Sequence, residues 1–119
     1  MRVKDVLGEY GERLAEEHLL AQGMTVLARR WRCPIGELDL VAVDAGCLVV
    51  CEVKTRRSTA AGAPVEAVTA AKMARLRRLA AAWLEAHPQS YAEIRIDVIG
   101  VLLPRRGSGP ILDHLRGVV

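Results

Sequence analysis

The sequence predicts an α/β fold, a sandwich in which a mixed β-sheet packs against flanking helices. Segments with apolar residues at helical spacing alternate with short runs rich in Val, Leu and Ile, in the order helix, strand, strand, strand, helix, strand (αβββαβ). The chain has 119 residues, of which 51% are hydrophobic, and this is enough apolar material for one core. We therefore expect a single domain over residues 1–119, with the tail from about residue 104 left unassigned.

Each predicted element has a local signal at one of its ends. Gly23 ends the first helix, and Pro34 and Gly36 end the first strand. The turn Asp44–Gly46 joins the next two strands as an antiparallel hairpin, and His87-Pro88 closes the second helix. The predicted elements are a helix over 6–22, strands over 24–31, 37–41 and 49–54, a helix over 65–86 and a strand over 94–102.

Both strands of the hairpin carry an acidic residue inside an apolar run, where a sheet normally holds Val or Leu. If residues 45–46 form a two-residue turn, Asp39 lies opposite Glu52 and Glu37 lies opposite Lys54. Opposed side chains leave the same face with Cβ atoms roughly 4.5 to 5.5 Å apart, so the two carboxylates could reach one cation. A three-residue turn would shift the register and separate them. Ordinary cross-strand ion pairs at a sheet edge are the alternative interpretation.

Positive charge is concentrated around this hairpin. The whole chain carries a net charge of +3, whereas residues 29–78 hold ten basic and five acidic residues. A basic rim around carboxylates would attract a polyanion such as nucleic acid, and a solvated basic surface is the alternative. On the second helix Lys72, Arg75 and Arg78 recur every three residues, so we expect them to share a face that can contact phosphates.

Several other classes of protein are disfavoured. The first residues contain no secretory run and no apolar stretch reaches membrane-spanning length, so we expect a soluble cytoplasmic protein without membrane contacts. The three cysteines lack metal-binding spacing and are predicted to be free thiols. The histidines share no motif and are not assigned to catalysis. Asp97 is interpreted mainly as an ion-pair partner of Arg95 or of a neighbouring loop, and its role in a site is left open.

An ordered set of short motifs supports a more specific prediction. Asp39 is separated by twelve residues from Glu52-Val53-Lys54, which resembles the PD-(D/E)xK signature, although Leu38 stands where that signature has proline. The other segments that match the family are Gly8–Glu12, Trp31-Arg32, Gly36–Leu40, Glu52–Arg56 and Arg95–Val98. Through these the chain is identified as a member of the YraN family of predicted bacterial endonucleases. That family is similar to archaeal Holliday-junction resolvases and has a restriction-endonuclease-like fold.

The resemblance implies a function and a set of site residues. It implies a metal-dependent DNA endonuclease that uses Mg²⁺ (or Mn²⁺), and it admits branched DNA as substrate and a homodimer as the assembly. Asp39 and Glu52 would hold the metal, with Glu12 as an additional carboxylate. Lys54 would orient or help deprotonate the attacking water. Phosphate contacts are expected from Arg32, Arg56, Lys72, Arg75 and Arg78.

Two other functions stay open at the level of sequence. One is a nucleic-acid-binding module that retains the nuclease fold without cleaving DNA. The other is a protein-interaction role in which the helices form the contact surface.

Overall fold

Two helices pack on opposite faces of one five-stranded sheet. A computed structural model describes residues 3–60, 62–104 and 107–118 of the chain. The elements are α1 (Val3–Ala21), β1 (Thr25–Cys33), β2 (Gly36–Asp44), β3 (Cys47–Arg56), a 3₁₀ turn (Pro64–Ala67), α2 (Ala70–Ala86), β4 (Glu93–Leu102) and β5 (Ile111–Leu115). This arrangement confirms the predicted α/β sandwich and is consistent with a restriction-endonuclease-like fold.

The sheet is mixed, as predicted. Its strands are ordered β1-β2-β3-β4-β5, with β3 parallel to β4 and the other neighbouring pairs antiparallel. A parallel pair needs a crossover connection, which α2 supplies between β3 and β4. The strand β5 lies in the tail that the sequence left unassigned. This strand has only five residues, and its backbone partners come from β4.

The start of α2 differs from the prediction. The helix begins at Ala70 rather than near residue 65, because Thr69 is its N-cap and the Thr69 side chain accepts a hydrogen bond from the Lys72 amide at 3.2 Å. The preceding 3₁₀ turn packs against β4, where a Cβ on Gly100 would lie 2.9 Å from Pro64 Cβ. The predicted end of the helix is confirmed, since α2 closes at Ala86 with His87 as its C-cap.

The hairpin strands β2 and β3 are buried on both faces, which explains why their sequences are almost continuously apolar. The cluster beneath α1 contains Ala15, Leu19, Leu40, Ala42, Val49, Cys51, Ile99 and Val101, among others. The cluster beneath α2 contains Leu38, Val41, Leu48, Val50, Leu76, Leu79 and Trp83, among others. The three cysteines are free thiols, as predicted. Within the described residues, no helix is long and apolar enough to cross a membrane.

The Asp97 carboxylate ties β5 and the C-terminal tail to the sheet. Its side chain is fully buried and accepts hydrogen bonds from Arg95 at 2.8 and 3.0 Å, His114 at 2.7 Å and the Gly117 amide at 3.0 Å. Burial alone would raise the pKa of Asp97, but these hydrogen bonds outweigh it and leave the pKa below its ordinary value. The predicted pairing with Arg95 is confirmed, and His114 belongs to the same network.

Replacing Asp97 by alanine is expected to destabilise the protein by about 3 to 5 kcal/mol, because it leaves the half-buried Arg95 guanidinium without its main partner. Urea unfolding at neutral pH measures this loss. The exposed Asp113 on β5 is the control, and Asp113→Ala should change stability by about 0.5 kcal/mol or less. Equal effects of the two substitutions would contradict a stabilising role for the Asp97 network.

Candidate functional site

The turn between β2 and β3 has the two-residue form that the register prediction required. Ala45 and Gly46 adopt positive φ angles of 48° and 83°, as in the hairpin turns that match strand twist. The paired residues run from Asp44 with Cys47 to Leu40 with Cys51. The predicted register of this hairpin is therefore confirmed from the turn to the Leu40–Cys51 pair, one residue short of Asp39.

The ladder between β2 and β3 stops at that point. Instead of continuing a backbone pair, the Asp39 carboxylate accepts a hydrogen bond from the Val53 amide at 2.8 Å. The predicted pairs of Asp39 with Glu52 and of Glu37 with Lys54 are not formed in this ladder, so this part of the register prediction is wrong. Once β2 leaves β3, Glu37 pairs on the other side with Arg32 of β1, at 3.2 Å. The site thus lies where two neighbouring strands separate.

Asp39 also interrupts the alternation of side chains along β2. Leu38 packs in the cluster beneath α2 and Leu40 in the cluster beneath α1, although residues two apart on a regular strand share a face. Next to this irregularity on β1, Arg30 has a positive φ of 50° and donates a hydrogen bond to Glu12 of α1 at 2.7 Å. Asp39, Glu12 and Arg30 line one cleft of about 400 Å³.

The carboxyl groups of Asp39 and Glu52 lie close enough to share a proton. Burial has the largest effect on the pKa of Asp39, and together with the hydrogen bond to Glu52 and the charge of Glu52 it raises this pKa to about 8. The hydrogen bond from the Val53 amide lowers the pKa, but less than these effects raise it. Glu52 itself is buried, with 8% of its surface exposed. Two buried carboxyls in this arrangement favour either a shared proton or a bound cation.

Two lysines lie on the Glu52 side of the pair. Lys54 follows Glu52 by two residues on β3 and shares its face, and Lys72 of α2 places Nζ 3.3 Å from Glu52 Oε2. Burial lowers the pKa of Lys54, and the neighbouring Lys72 ammonium lowers it further. The sequence assigned Lys72 to phosphate contacts only. No periodicity could have placed it on Glu52, because the contact joins a helix to a strand twenty residues away.

The other predicted residues lie around this centre. Arg56 is half-buried beyond Lys54, and Arg32 is exposed beside Glu37. The Arg75 guanidinium lies against the β1–β2 turn, where a Cβ on Gly36 would be 2.7 Å from its Nη2. Arg78 is exposed, and neither Arg75 nor Arg78 has an ion-pair partner among the described residues.

Part of the positive charge predicted around the hairpin is neutralised. Arg29 pairs with Glu16 of α1, and Arg30 pairs with both Glu12 and Glu9. The acidic face of α1 therefore balances the basic residues of β1. Of the arginines predicted to contact phosphates, Arg56 at the C-terminal end of β3 and Arg75 and Arg78 on α2 have no ion-pair partner among the described residues.

The donor set fits a hard divalent ion held by few protein ligands. In the described part of the chain, no three His, Cys, Asp or Glu side chains come together closely enough to hold a metal. Mg²⁺ usually retains several waters and is bound by one or two carboxylates together with substrate phosphates, and Asp39 and Glu52 match that number of carboxylates. Glu12 contributes negative charge that raises the pKa of Asp39, but its carboxylate is engaged by Arg30. Glu12 as an additional ligand stays a prediction.

The close approach of α1 to the sheet is set by a glycine. An added Cβ on Gly11 would lie 1.9 Å from Thr55 Oγ1, so only glycine lets the helix pack this near β3. Glu12, which lines the cleft with Asp39, is the next residue along the helix. Gly11 therefore fixes the distance between the α1 acids and the strand ends.

Comparisons with known proteins place the chain among similar sequences along nearly its whole length. The model of the uncharacterised protein family UPF0102 matches residues 11–101. A UPF0102 protein of Beutenbergia cavernae is 58% identical over 118 residues, covering 99% of each chain. A UPF0102 protein of Kineococcus radiotolerans is 55% identical over 119 residues, covering 99% of this chain and 97% of the relative. A UPF0102 protein of a Nocardioides species is 54% identical over 116 residues, covering 98% and 93%.

The raised pKa of Asp39 predicts a pH-dependent stability. A carboxyl whose pKa is higher in the folded state stabilises the protein while protonated, and this contribution is lost as pH rises through about 8. Between pH 7 and pH 8 the free energy of unfolding should fall by about 1 kcal/mol. Urea unfolding at several pH values, in the absence of metal, measures this fall in the free energy of unfolding. Asp39→Asn should abolish this dependence, and a wild-type protein as insensitive to pH as the variant would contradict the shared-proton arrangement.

Substitution of Gly11 tests the packing of α1. Gly11→Ala should destabilise the protein by about 1 to 3 kcal/mol, the usual range for overpacking, because the new methyl collides with Thr55. Adding Thr55→Ala removes the hydroxyl that the new methyl group meets first, so the double variant should recover part of the lost stability. Thermal unfolding of the two single variants and the double variant gives the coupling. Additive effects of the two substitutions would show that the contact does not limit the approach.

Proposed function

This chain belongs to the uncharacterised protein family UPF0102, and we propose that it acts as a metal-dependent endonuclease that hydrolyses phosphodiester bonds in DNA. One observation carries the proposal. The carboxyls of Asp39 and Glu52 meet where β2 separates from β3, with the Lys54 ammonium on the same strand and face as Glu52. Two carboxylates beside a lysine form the minimal group for metal-assisted hydrolysis of a phosphate ester.

The proposed roles follow from the position of each side chain. Asp39 and Glu52 would hold Mg²⁺ or Mn²⁺, which would supply Lewis-acid activation of the phosphate. Asp39 is oriented for this by its hydrogen bond from the Val53 amide. Lys54 orients the attacking water and offsets negative charge that develops on the phosphate. The depressed pKa of Lys54, caused first by burial, supports a part in proton transfer.

The distribution of cations supports a nucleic acid as the substrate. Arg56 extends from the site along β3, and Arg75 and Arg78 lie exposed on α2 without ion-pair partners in the described part of the chain. Guanidinium groups that are free of ion pairs are suited to contact backbone phosphates. Because these contacts carry no base specificity, the proposal concerns DNA shape rather than sequence. The preference for branched DNA and the homodimer stay predictions.

The activity is tested by incubating the purified protein with a supercoiled plasmid and with a labelled four-way junction, in Mg²⁺, Mn²⁺ or EDTA. We expect cleavage with either metal and none with EDTA. Lys54→Ala and Asp39→Asn should each reduce the rate by about 100-fold or more, because each removes a group that acts in the transition state. Product formation on denaturing gels measures the rate.

Asp113→Asn is the matched control, since it makes the same chemical change at an exposed position on β5. It should cleave like the wild-type protein. DNA binding by all forms without cleavage by any of them would instead favour the non-catalytic binding module. Cleavage that survives in both site variants would show that a contaminating nuclease or another site is responsible.

A further inference from the structure

Among the described residues the Glu52 carboxylate forms an ion pair with Lys72, and a second ammonium group, that of Lys54, lies nearby. The Lys72 Nζ lies 3.3 Å from Glu52 Oε2. The pKa of Lys54 is lowered first by burial and then by the neighbouring Lys72 ammonium, so the two ammonium groups lie near each other. Two ammonium groups near one carboxylate repel each other. A divalent cation that binds Glu52 would therefore compete with the Lys72 ammonium for the same carboxylate.

Lys72 is the partner that can leave. Lys54 is attached to the same strand as Glu52, two residues away, whereas Lys72 reaches the carboxylate from the first turn of α2. The Thr69 cap fixes the backbone of Lys72 through its amide, while a third of the lysine side chain remains exposed. The Glu52 side chain, by contrast, is only 11% exposed. The long lysine side chain can therefore swing into solvent without unfolding the helix.

A buried carboxylate also needs a cation when no metal is bound. The free energy of burying Glu52 unpaired is unfavourable, so a neighbouring positive charge stabilises the metal-free protein. The first turn of α2 adds positive potential from the helix dipole on the same side. The Lys72–Glu52 pair thus keeps the carboxylate oriented in the absence of metal.

From this geometry we infer that Lys72 is an internal counter-ion of Glu52, which holds the carboxylate in place in the metal-free protein and is displaced when a divalent cation binds. The inference deepens the proposed function and depends on its metal site. It assigns Lys72 a positioning role within that site, in addition to the phosphate contact that the sequence predicts. The consequence is that Lys72 lowers the affinity of the free protein for metal.

The test is a titration of the intact protein with Mn²⁺, in which electron paramagnetic resonance measures the free ion. Lys72→Met keeps the length of the side chain and removes its charge. It should bind Mn²⁺ about fivefold to tenfold more tightly than the wild-type protein, the order expected from a partly buried ion pair. Lys72→Gln provides a second neutral variant with a polar end and should behave in the same way.

Arg75→Met is the matched control. It removes one positive charge from the same helix, three residues further on, where the guanidinium lies against Gly36 rather than Glu52. It should change the Mn²⁺ affinity by less than about twofold, because an exposed charge outside the contact is screened by solvent. A comparable gain for Arg75→Met and Lys72→Met would overturn the inference, since the effect would then be general electrostatics.

Thermal unfolding gives a readout that is independent of metal titration. Without metal, Lys72→Met should unfold a few degrees below the wild-type protein, and saturating Mn²⁺ should raise its Tm by more than that of the wild-type protein. Binding of Mn²⁺ by the wild-type protein, with no tighter binding by either Lys72 variant, would overturn the role of Lys72 alone. Absence of Mn²⁺ binding by every form would overturn both this inference and the proposed metal-dependent function.

Discussion

The separation of β2 from β3 after the Leu40–Cys51 pair is the constraint on which the site depends. If the ladder continued, the Val53 amide would bond to the backbone of β2 and the Asp39 side chain would stand on one face of the sheet. Instead Asp39 bonds to Val53 through its carboxylate at 2.8 Å. The backbone hydrogen bond that the strand loses is replaced by a side-chain bond, so the sheet opens without leaving this amide unpaired.

This opening brings together groups from both layers of the sandwich. Glu12 approaches from α1, on one side of the sheet, and Lys72 approaches from α2, on the other. Asp39 and Glu52 lie between them, and burial of the pair raises the pKa of Asp39. In a regular sheet Asp39 and Glu52 would be directly opposed and would both stand on one face, under one helix. The irregularity is therefore what allows one site to draw on both helices.

The placement of α1 and α2 on opposite faces of the sheet also explains why some basic residues are paired with acids and others are exposed. The acids of α1 neutralise Arg29 and Arg30, whereas the exposed cations of α2 face solvent. On β4, paired with Cys51 of β3, Asp97 organises a separate buried network with Arg95 and His114. The charged groups of that network are paired with one another, and the network attaches β5 to the sheet. It shares no residue with the Asp39–Glu52 pair.

The sequence by itself determined the types of the elements from α1 to β4 and the hairpin register as far as the Leu40–Cys51 pair. Helical and strand periodicities, the Ala45-Gly46 turn and the helix stop at His87-Pro88 are local properties, so they can be recognised without knowing which elements are neighbours. The motif around Asp39, Glu52 and Lys54 likewise identified the family. Only the tertiary structure decided where the ladder ends, which cation contacts Glu52 and where the tail pairs. These features join residues that are distant in sequence, as Asp39 and Val53, Lys72 and Glu52, or His114 and Asp97 are. Their partners are set by packing between elements, and neither residue spacing nor composition encodes that packing directly.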